Sequence, residues 1–271
     1  MSDSRSDPKT QARMLPALLK HYRRARGLSQ LDLASAAEVS PRHLSFLETG
    51  RAKPSREMVA RIGATLGLSL RDQNALLCAA GFSESYRETE VAEMPAHIRR
   101  ALERMMQVHE PFPLVVFDAN YDVRMLNRGA SALMRVFVPK PSKPLNLLEL
   151  SFDPNGLRPY VENWEQTASH LLQRLSREHL QTGRESLAIL LSRLLAYPDV
   201  PGSMRTLDLT SAIEPVFDVR FRVGGQSFGF LTTLTCFNAP QDVTLDELRI
   251  ESYFPLDDAT ARLCEQMAQN S

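Results

Sequence analysis

Apolar residues in the first part of the chain come in short helical bursts. "QARMLPALLKHYRRARG" sets Leu15, Leu18, Leu19 and Tyr22 on one side and then meets Gly27, a helix stop. "SQLDLASAAEV" opens on Ser29, a good N-cap, and grows rich in alanine. "SPRHLSFLETG" follows with almost no linker. Ser55 caps "REMVARIGATLG" and Ser69 caps "LRDQNALLCAAG". Five short, tightly connected helices are predicted over residues 14–82, behind a polar, flexible tail at 1–13.

The third of these helices has two distinct faces. Leu44 and Leu47 fall on one, while Arg42, Ser45, Phe46 and Thr49, spaced i, i+3, i+4, i+7, fall on the other. Arg51 and Lys53 follow directly. Two short helices joined by a tight turn, the second with an outward polar row, predict a helix-turn-helix that reads DNA. Ala36 and Ala37 are expected to let the two helices approach, with Val39 and Leu44 filling the gap. Pro41 at the first helical position costs no hydrogen bond. The helix N-terminus presents partial positive charge to a phosphate or base edge. The rival is a protein-interaction bundle with Phe46 in its core, but the cap spacing and outward row favour DNA.

Beyond this the pattern changes. "FSESYRETEVAEMP" is acidic and poor in large apolar residues, and predicts a linker over 83–94. From residue 95 to 271, helix and strand patterns alternate. "AHIRRALERMMQVHE" is an amphipathic helix, and "PLVVFDANYDVRMLN" reads as two strands around a turn at Asp118-Ala119-Asn120. "RGASALMRVF", "ENWEQTASHLLQRLSREHL" and "GRESLAILLSRLLAYP" are helical. "EPVFDVRFRVGGQSFGFLTTLTCFNAP" alternates on both sides of Gly224-Gly225 and predicts a hairpin. The tail holds "DELRIESYFP" and a closing helix "DDATARLCEQMA".

Charge sharpens the division. The net charge of the 271 residues is zero, but residues 1–82 carry 13 Lys+Arg against 7 Asp+Glu, a net of +6, and residues 83–271 carry 19 against 25, a net of −6. A basic head on an acidic body predicts that only the head meets a polyanion. With 43% hydrophobic and 24% charged residues the composition is that of a soluble globular protein. No apolar run is long enough to span a bilayer, and the polar start is no secretory signal. The three cysteines, Cys78, Cys236 and Cys264, form no CxxC pair, and their odd number argues against a disulfide framework. Cytoplasmic residence is expected.

The acidic body has no GxSxG, no HExxH and no glycine-rich phosphate loop. His97, His109, His170 and His179 show no metal-ligand spacing with the cysteines. No enzymatic activity, metal or required cofactor is expected. What the body does have is a surplus of large apolar residues. Most are core, but Met and Phe also line adaptable apolar pockets. The pocket candidates are Phe117, Met125, Met134, Phe137, Phe152, Leu171, Leu175, Phe217 and Phe230, with Asn127 and Trp164 as polar-edged neighbours. Asn127 reads first as a helix cap and Trp164 first as a core plug.

Two resemblances extend these expectations. "GLSQLDLASAAEVSPRHLSFLETGRAKPS" resembles the helix-turn-helix of the Cro/C1 (XRE) type, through Ser29-Gln30, Ala34, Val39-Ser40, Leu44, Leu47, Glu48 and Gly50. The resemblance implies DNA contacts from Gln30, Ser40, Arg42, His43, Ser45, Phe46, Arg51 and Lys53. Gln30 would meet a backbone phosphate, as would Arg51 and Lys53, while Arg42, Ser45 and Phe46 would reach base edges. Many relatives carry glutamines on this face, so Arg42 and Phe46 imply a different operator. It also implies that Glu48 pairs with Arg23 of the first helix.

"DPNGLRPYVENWEQTA", "LTTLTCFNAPQDVTLDELRIESYFP" and "FDANYDVRMLN" are similar to the MmyB-like ligand-binding domain that follows the helix-turn-helix in one branch of XRE regulators. This resemblance covers roughly residues 105–257 and implies a PAS-like fold, a curved antiparallel sheet with helices packed on it, holding a fatty acid or fatty acyl derivative. The expected fold is α+β, an all-α five-helix domain followed by a PAS-like α/β domain. The expected protein is a homodimeric transcription regulator on an inverted repeat of double-stranded DNA, with an apolar effector. The alternative keeps DNA binding but makes the second domain a dimerisation module with no ligand.

Overall fold

The computed structural model describes residues 8–138, 145–198, 200, 204, 217–238 and 241–269. The chain divides into two compact units. The first comprises Met1–Glu88 with the short segments Leu180–Gly183 and Ala239–Asp246, and the second Thr89–His179, Arg184–Asn238 and Glu247–Ser271.

The first unit holds α1 (Pro8–Ala25), α2 (Gln30–Ala36), α3 (Pro41–Glu48), α4 (Arg56–Thr65) and α5 (Leu70–Ala79). Helix α1 starts at Pro8, ahead of residue 14. Ser29, Ser40, Ser55 and Ser69 each accept the backbone N–H of the third residue of the helix that follows, which satisfies donors that have no partner within the helix. At Ser29 the cap is reciprocal, because the Asp32 carboxylate accepts the Ser29 N–H at 3.0 Å. Leu19, Leu33, Leu44, Leu47, Ile62 and Leu76 are at most 2% exposed and form the centre of the core. Burying each contributes about 2 kcal/mol.

The close approach of α2 and α3 rests on Ala34 and Ala37, both fully buried; Ala36 points to solvent. The turn between them is entered at Glu38, with φ of +53°. Residues 83–88, expected in a linker, are bound to the helical unit instead. Asn74 Oδ1 accepts the N–H of Ser85 and of Tyr86, and its Nδ2 donates to Tyr86 O at 2.7 Å. Arg56 Nη2 donates to Ser85 Oγ, also at 2.7 Å.

The second unit opens with α6 (Ala96–His109) and then β1 (Leu114–Phe117), β2 (Val123–Leu126), α7 (Arg128–Phe137), α8 (Leu147–Phe152), α9 (Trp164–Thr182) and α10 (Glu185–Leu195). It continues with β3 (Asp218–Val223) and β4 (Gln226–Cys236). After the short α11 (Val243–Glu247), all but its last residue part of the first unit, β5 (Arg249–Pro255) and α12 (Asp258–Gln269) end the described chain. The strands form one open antiparallel sheet in the order β2-β1-β5-β4-β3. This is the α/β domain with an antiparallel sheet expected behind a five-helix domain. Gly224 and Gly225, at φ +57° and +82°, make the tight β3–β4 turn, where both central residues need positive φ. Residues 214–216 and 239–240, at the two ends of the expected hairpin, lie outside the described residues.

Two helices had no clear pattern in the sequence, α8 and α11. Each is only five or six residues long, too short for periodicity to show. The β1–β2 connection is also longer than the expected three-residue turn. It runs from Asp118 to Asp122 and places Tyr121 at φ +66° with its ring 1% exposed. Asp118 Oδ1 holds the turn by accepting the N–H of Asn120 and of Asp122.

Candidate functional site

The outward face of the first unit is built on α3. Leu44 and Leu47 anchor the helix at 0% and 1% exposure. On the other side Arg42 and Thr49 are exposed, and His43, Ser45 and Phe46 are half-buried. The Arg42 guanidinium lies 5.4 Å from the centre of the Phe46 ring, so the ring steadies the cation at the surface. Ser40 Oγ accepts His43 N–H at 3.1 Å, which commits that hydroxyl to capping. Thr49 Oγ1 donates to Ser45 O at 2.8 Å. Arg51 and Lys53 are exposed beyond the helix end. The face offers a fork-shaped cation, an aromatic edge and two flanking cations, which suits a base edge and phosphates.

Helix α3 is fixed to α1 through its last residue. Arg23 Nε donates to Glu48 Oε1 at 2.6 Å and Nη2 to Oε2 at 2.9 Å, while Arg23 Nη1 donates to Leu28 O. This is the pairing that the resemblance implied. Gln30, for which it implied a phosphate contact, turns its amide Nε2 to Glu48 Oε2 at 2.8 Å. Burial works to raise the Glu48 pKa, but the hydrogen bonds from Arg23 and Gln30 outweigh it and leave the carboxyl below its ordinary value.

In the second unit two hollows adjoin between the sheet and the helices. They share Leu147, Leu157, Phe221 and Tyr253. The first has apolar walls from Leu148, Leu171, Phe217 and Val219 and a polar end at Ser151, Thr167, Arg174 and Glu251. In the second, Pro113, Val115, Ala130, Leu133, Met134 and Phe137 complete the lining.

Met134, Phe137, Leu171 and Phe217 are thus the expected pocket residues that line these hollows. The other candidates lie elsewhere. Phe117 stacks on Tyr121 with ring centres 5.3 Å apart. Phe152 meets Trp164 edge to face at 4.9 Å, and the Arg158 guanidinium covers the Trp164 ring at 4.3 Å. Leu175 and Phe230 are 0% exposed in the core, and Met125 is half-buried on β2. Asn127 is a structural clasp. Its Oδ1 accepts Leu114 N–H at 2.9 Å and Ala130 N–H at 2.8 Å, and its Nδ2 donates to Phe112 O at 2.8 Å. The Glu110 carboxylate completes this end of α7 by accepting the N–H of Arg128 and of Gly129.

The polar end was not anticipated. Arg174 Nε donates to the Tyr121 hydroxyl at 3.2 Å, Arg174 Nη1 faces Glu251 Oε2 at 3.5 Å, and the Tyr121 hydroxyl donates to Glu178 Oε2 at 2.9 Å. Burial and the neighbouring Glu251 push the Tyr253 phenol well above its ordinary pKa. Burial, reinforced by Arg174 and Arg177, pulls His170 down to about 4, so its ring, stacked on Phe217, is neutral at neutral pH. One signal for Arg174 was present: it sits three residues after Leu171 and directly before Leu175, on the apolar face of α9. Among the described residues no cluster of His, Cys, Asp and Glu could hold a metal ion, and no helix is long and apolar enough to cross a membrane.

Comparison with known proteins finds a match in each of the two parts of the chain. Residues 15–77 match a helix-turn-helix domain model. Among curated proteins, the HTH-type transcriptional regulator DdrOP3 of Deinococcus deserti is 41% identical over 54 residues, 20% of this chain and 42% of that protein. Multiprotein-bridging factor 1 of Schizosaccharomyces pombe is 31% identical over 67 residues, 25% of this chain and 45% of that protein. The chain therefore spans less than half the length of these two relatives. Residues 98–267 match the model of the MmyB-like transcription regulator ligand binding domain, well over half of the chain, and neither matched model describes an enzyme. The chain belongs to the MmyB-like transcription regulator ligand-binding domain family and carries a helix-turn-helix domain ahead of it.

Proposed function

We propose that the protein binds a specific DNA sequence through α3 and that an apolar acyl ligand, a fatty acid or a derivative of one, sets how tightly it binds. The observation that carries this reading is the pair of adjoining hollows, mostly apolar with one polar end, in a domain of a ligand-binding family. An acyl chain gains about 0.8 kcal/mol per buried CH₂, so a medium chain binds well on burial alone. Binding alone changes nothing at an operator. The ligand must favour one state of the protein, and DNA must then change ligand affinity by the same factor.

One helix-turn-helix reads few bases, so the working form is a homodimer on an inverted repeat, with half-sites one helical turn or a multiple apart. We place it in the cytoplasm, with DNA and the effector as its partners.

The test is operator affinity of delipidated protein, measured with fatty acids and acyl thioesters of increasing length. A shift that depends on chain length is expected. If no lipid co-purifies and no acyl compound shifts affinity, the second domain is a dimerisation module without a ligand, and the proposal is overturned.

A further inference from the structure

We infer that Arg174 binds the head of the ligand, that this head is the carbonyl oxygen of an uncharged acyl ester, thioester or amide, and that the hydrocarbon tail runs toward Leu133 and Met134. This rests on the reading of the hollows as the ligand site.

The tail's direction follows from the lining. The hollow at Leu133 and Met134 has only apolar side chains, apart from the shared Tyr253, whereas its neighbour ends at Thr167, Arg174 and Glu251. A molecule with one polar end fits in one orientation.

The identity of the head follows from two features of Arg174. The first is its hydrogen bonding. Nε donates to the Tyr121 hydroxyl and Nη1 faces Glu251, but Nη2 is fully buried and the described residues offer it no acceptor. Guanidinium N–H groups are strong donors, and leaving one buried without a partner is costly. The vacancy calls for an acceptor oxygen. The second is charge. The guanidinium, its side chain 16% exposed, already meets the Glu251 carboxylate, whose side chain is 5% exposed, and feels the charge of Glu178. A carboxylate head would be a third anion beside Arg174, after Glu251 and Glu178, and like charges brought close in a site shielded from water repel strongly. An ammonium head would face the guanidinium. A neutral carbonyl fills the vacancy of Nη2 and adds no charge.

The experiment uses full-length, delipidated protein and displacement of Nile red by octane, methyl octanoate and octanoate. The wild type should bind methyl octanoate roughly tenfold or more tighter than octane, as expected for one hydrogen bond to a charged donor, and tighter than octanoate. Arg174→Lys keeps a cation opposite Glu251 but lacks the second nitrogen. It should bind octane as the wild type does and lose the preference for the ester. The double variant Arg174→Met/Glu251→Met removes the pair together, so no charge is stranded, and should behave in the same way. Equal wild-type binding of ester and octane overturns the head assignment, as does an ester preference that survives in both variants. Tighter binding of octanoate than of the ester overturns the uncharged head. If Nile red and all three compounds fail to bind, the hollows are not a ligand site, and the proposed function fails with them.

Discussion

The guanidinium of Arg23 forks onto the carboxylate of Glu48, joining the first helix to the last residue of α3 by two hydrogen bonds of 2.6 and 2.9 Å. Glu48 is only 9% exposed, and Gln30 of α2 bonds to the same carboxylate. Three helices therefore share one charged group, and the orientation of α3 depends on it.

Removing that group should loosen the helical unit. Glu48→Ala strands the Arg23 charge and should cost about 2 kcal/mol in chemical denaturation of the unit. The paired change Arg23→Met/Glu48→Leu strands no charge and should recover most of the loss. Equal destabilisation by both would show that the ion pair has no role of its own.

Acid should act on the same group. The folded pKa of Glu48 lies below the ordinary 4.5, so the native state favours the carboxylate more than the unfolded chain does. Its stabilisation is complete above the unfolded value and is lost as pH falls through the folded one. Denaturation midpoints of the helical unit should thus fall as pH drops below about 4.5, and Glu48→Gln should flatten that slope. A slope unchanged in the variant would assign acid sensitivity to other carboxyls.

Arg42 and Lys53 should fail in different ways. Arg42→Ala should weaken binding by roughly 1–3 kcal/mol and relax base preference, as expected for a bidentate contact to guanine. Lys53→Ala should weaken all sequences about equally and reduce the dependence on salt. Uniform losses for both across a randomised operator library would remove Arg42 from the reading face.

Gly129 should tolerate no side chain. A Cβ there would lie 2.2 Å from Pro111 O and 2.9 Å from Phe112 O, both backbone atoms that cannot swing aside. Gly129→Ala should destabilise the second unit by roughly 1–3 kcal/mol, read as a lower denaturation midpoint, with the helical unit unaffected. An unchanged midpoint would mean that the start of α7 yields easily.

Features carried by local chemistry were legible before the structure. Ser40-Pro41 with Leu44 and Leu47 marks α3, because capping and periodicity act within a few residues. The Glu48–Arg23 pair came from resemblance alone, since nothing local links residues so far apart. Asn74 was not legible: it looks like any polar residue on a short helix until residues 85 and 86 return to it. Nor could periodicity separate Phe230 in the core from Phe217 at a hollow, because both alternate correctly on a strand pattern. Arg174 was passed over because a cation on an amphipathic helix is ordinarily solvated, and only tertiary packing buries its Nη2.

The Asn127 clasp has a consequence for isotope exchange. A single side-chain oxygen accepts from Leu114 at the start of β1 and from Ala130 in the first turn of α7. Neither amide can be released by fraying its own element while the carboxamide stays in place. Deuterium should therefore enter both positions in one opening event and at one rate, slowly for the ends of a four-residue strand and a ten-residue helix, where exchange is ordinarily fastest.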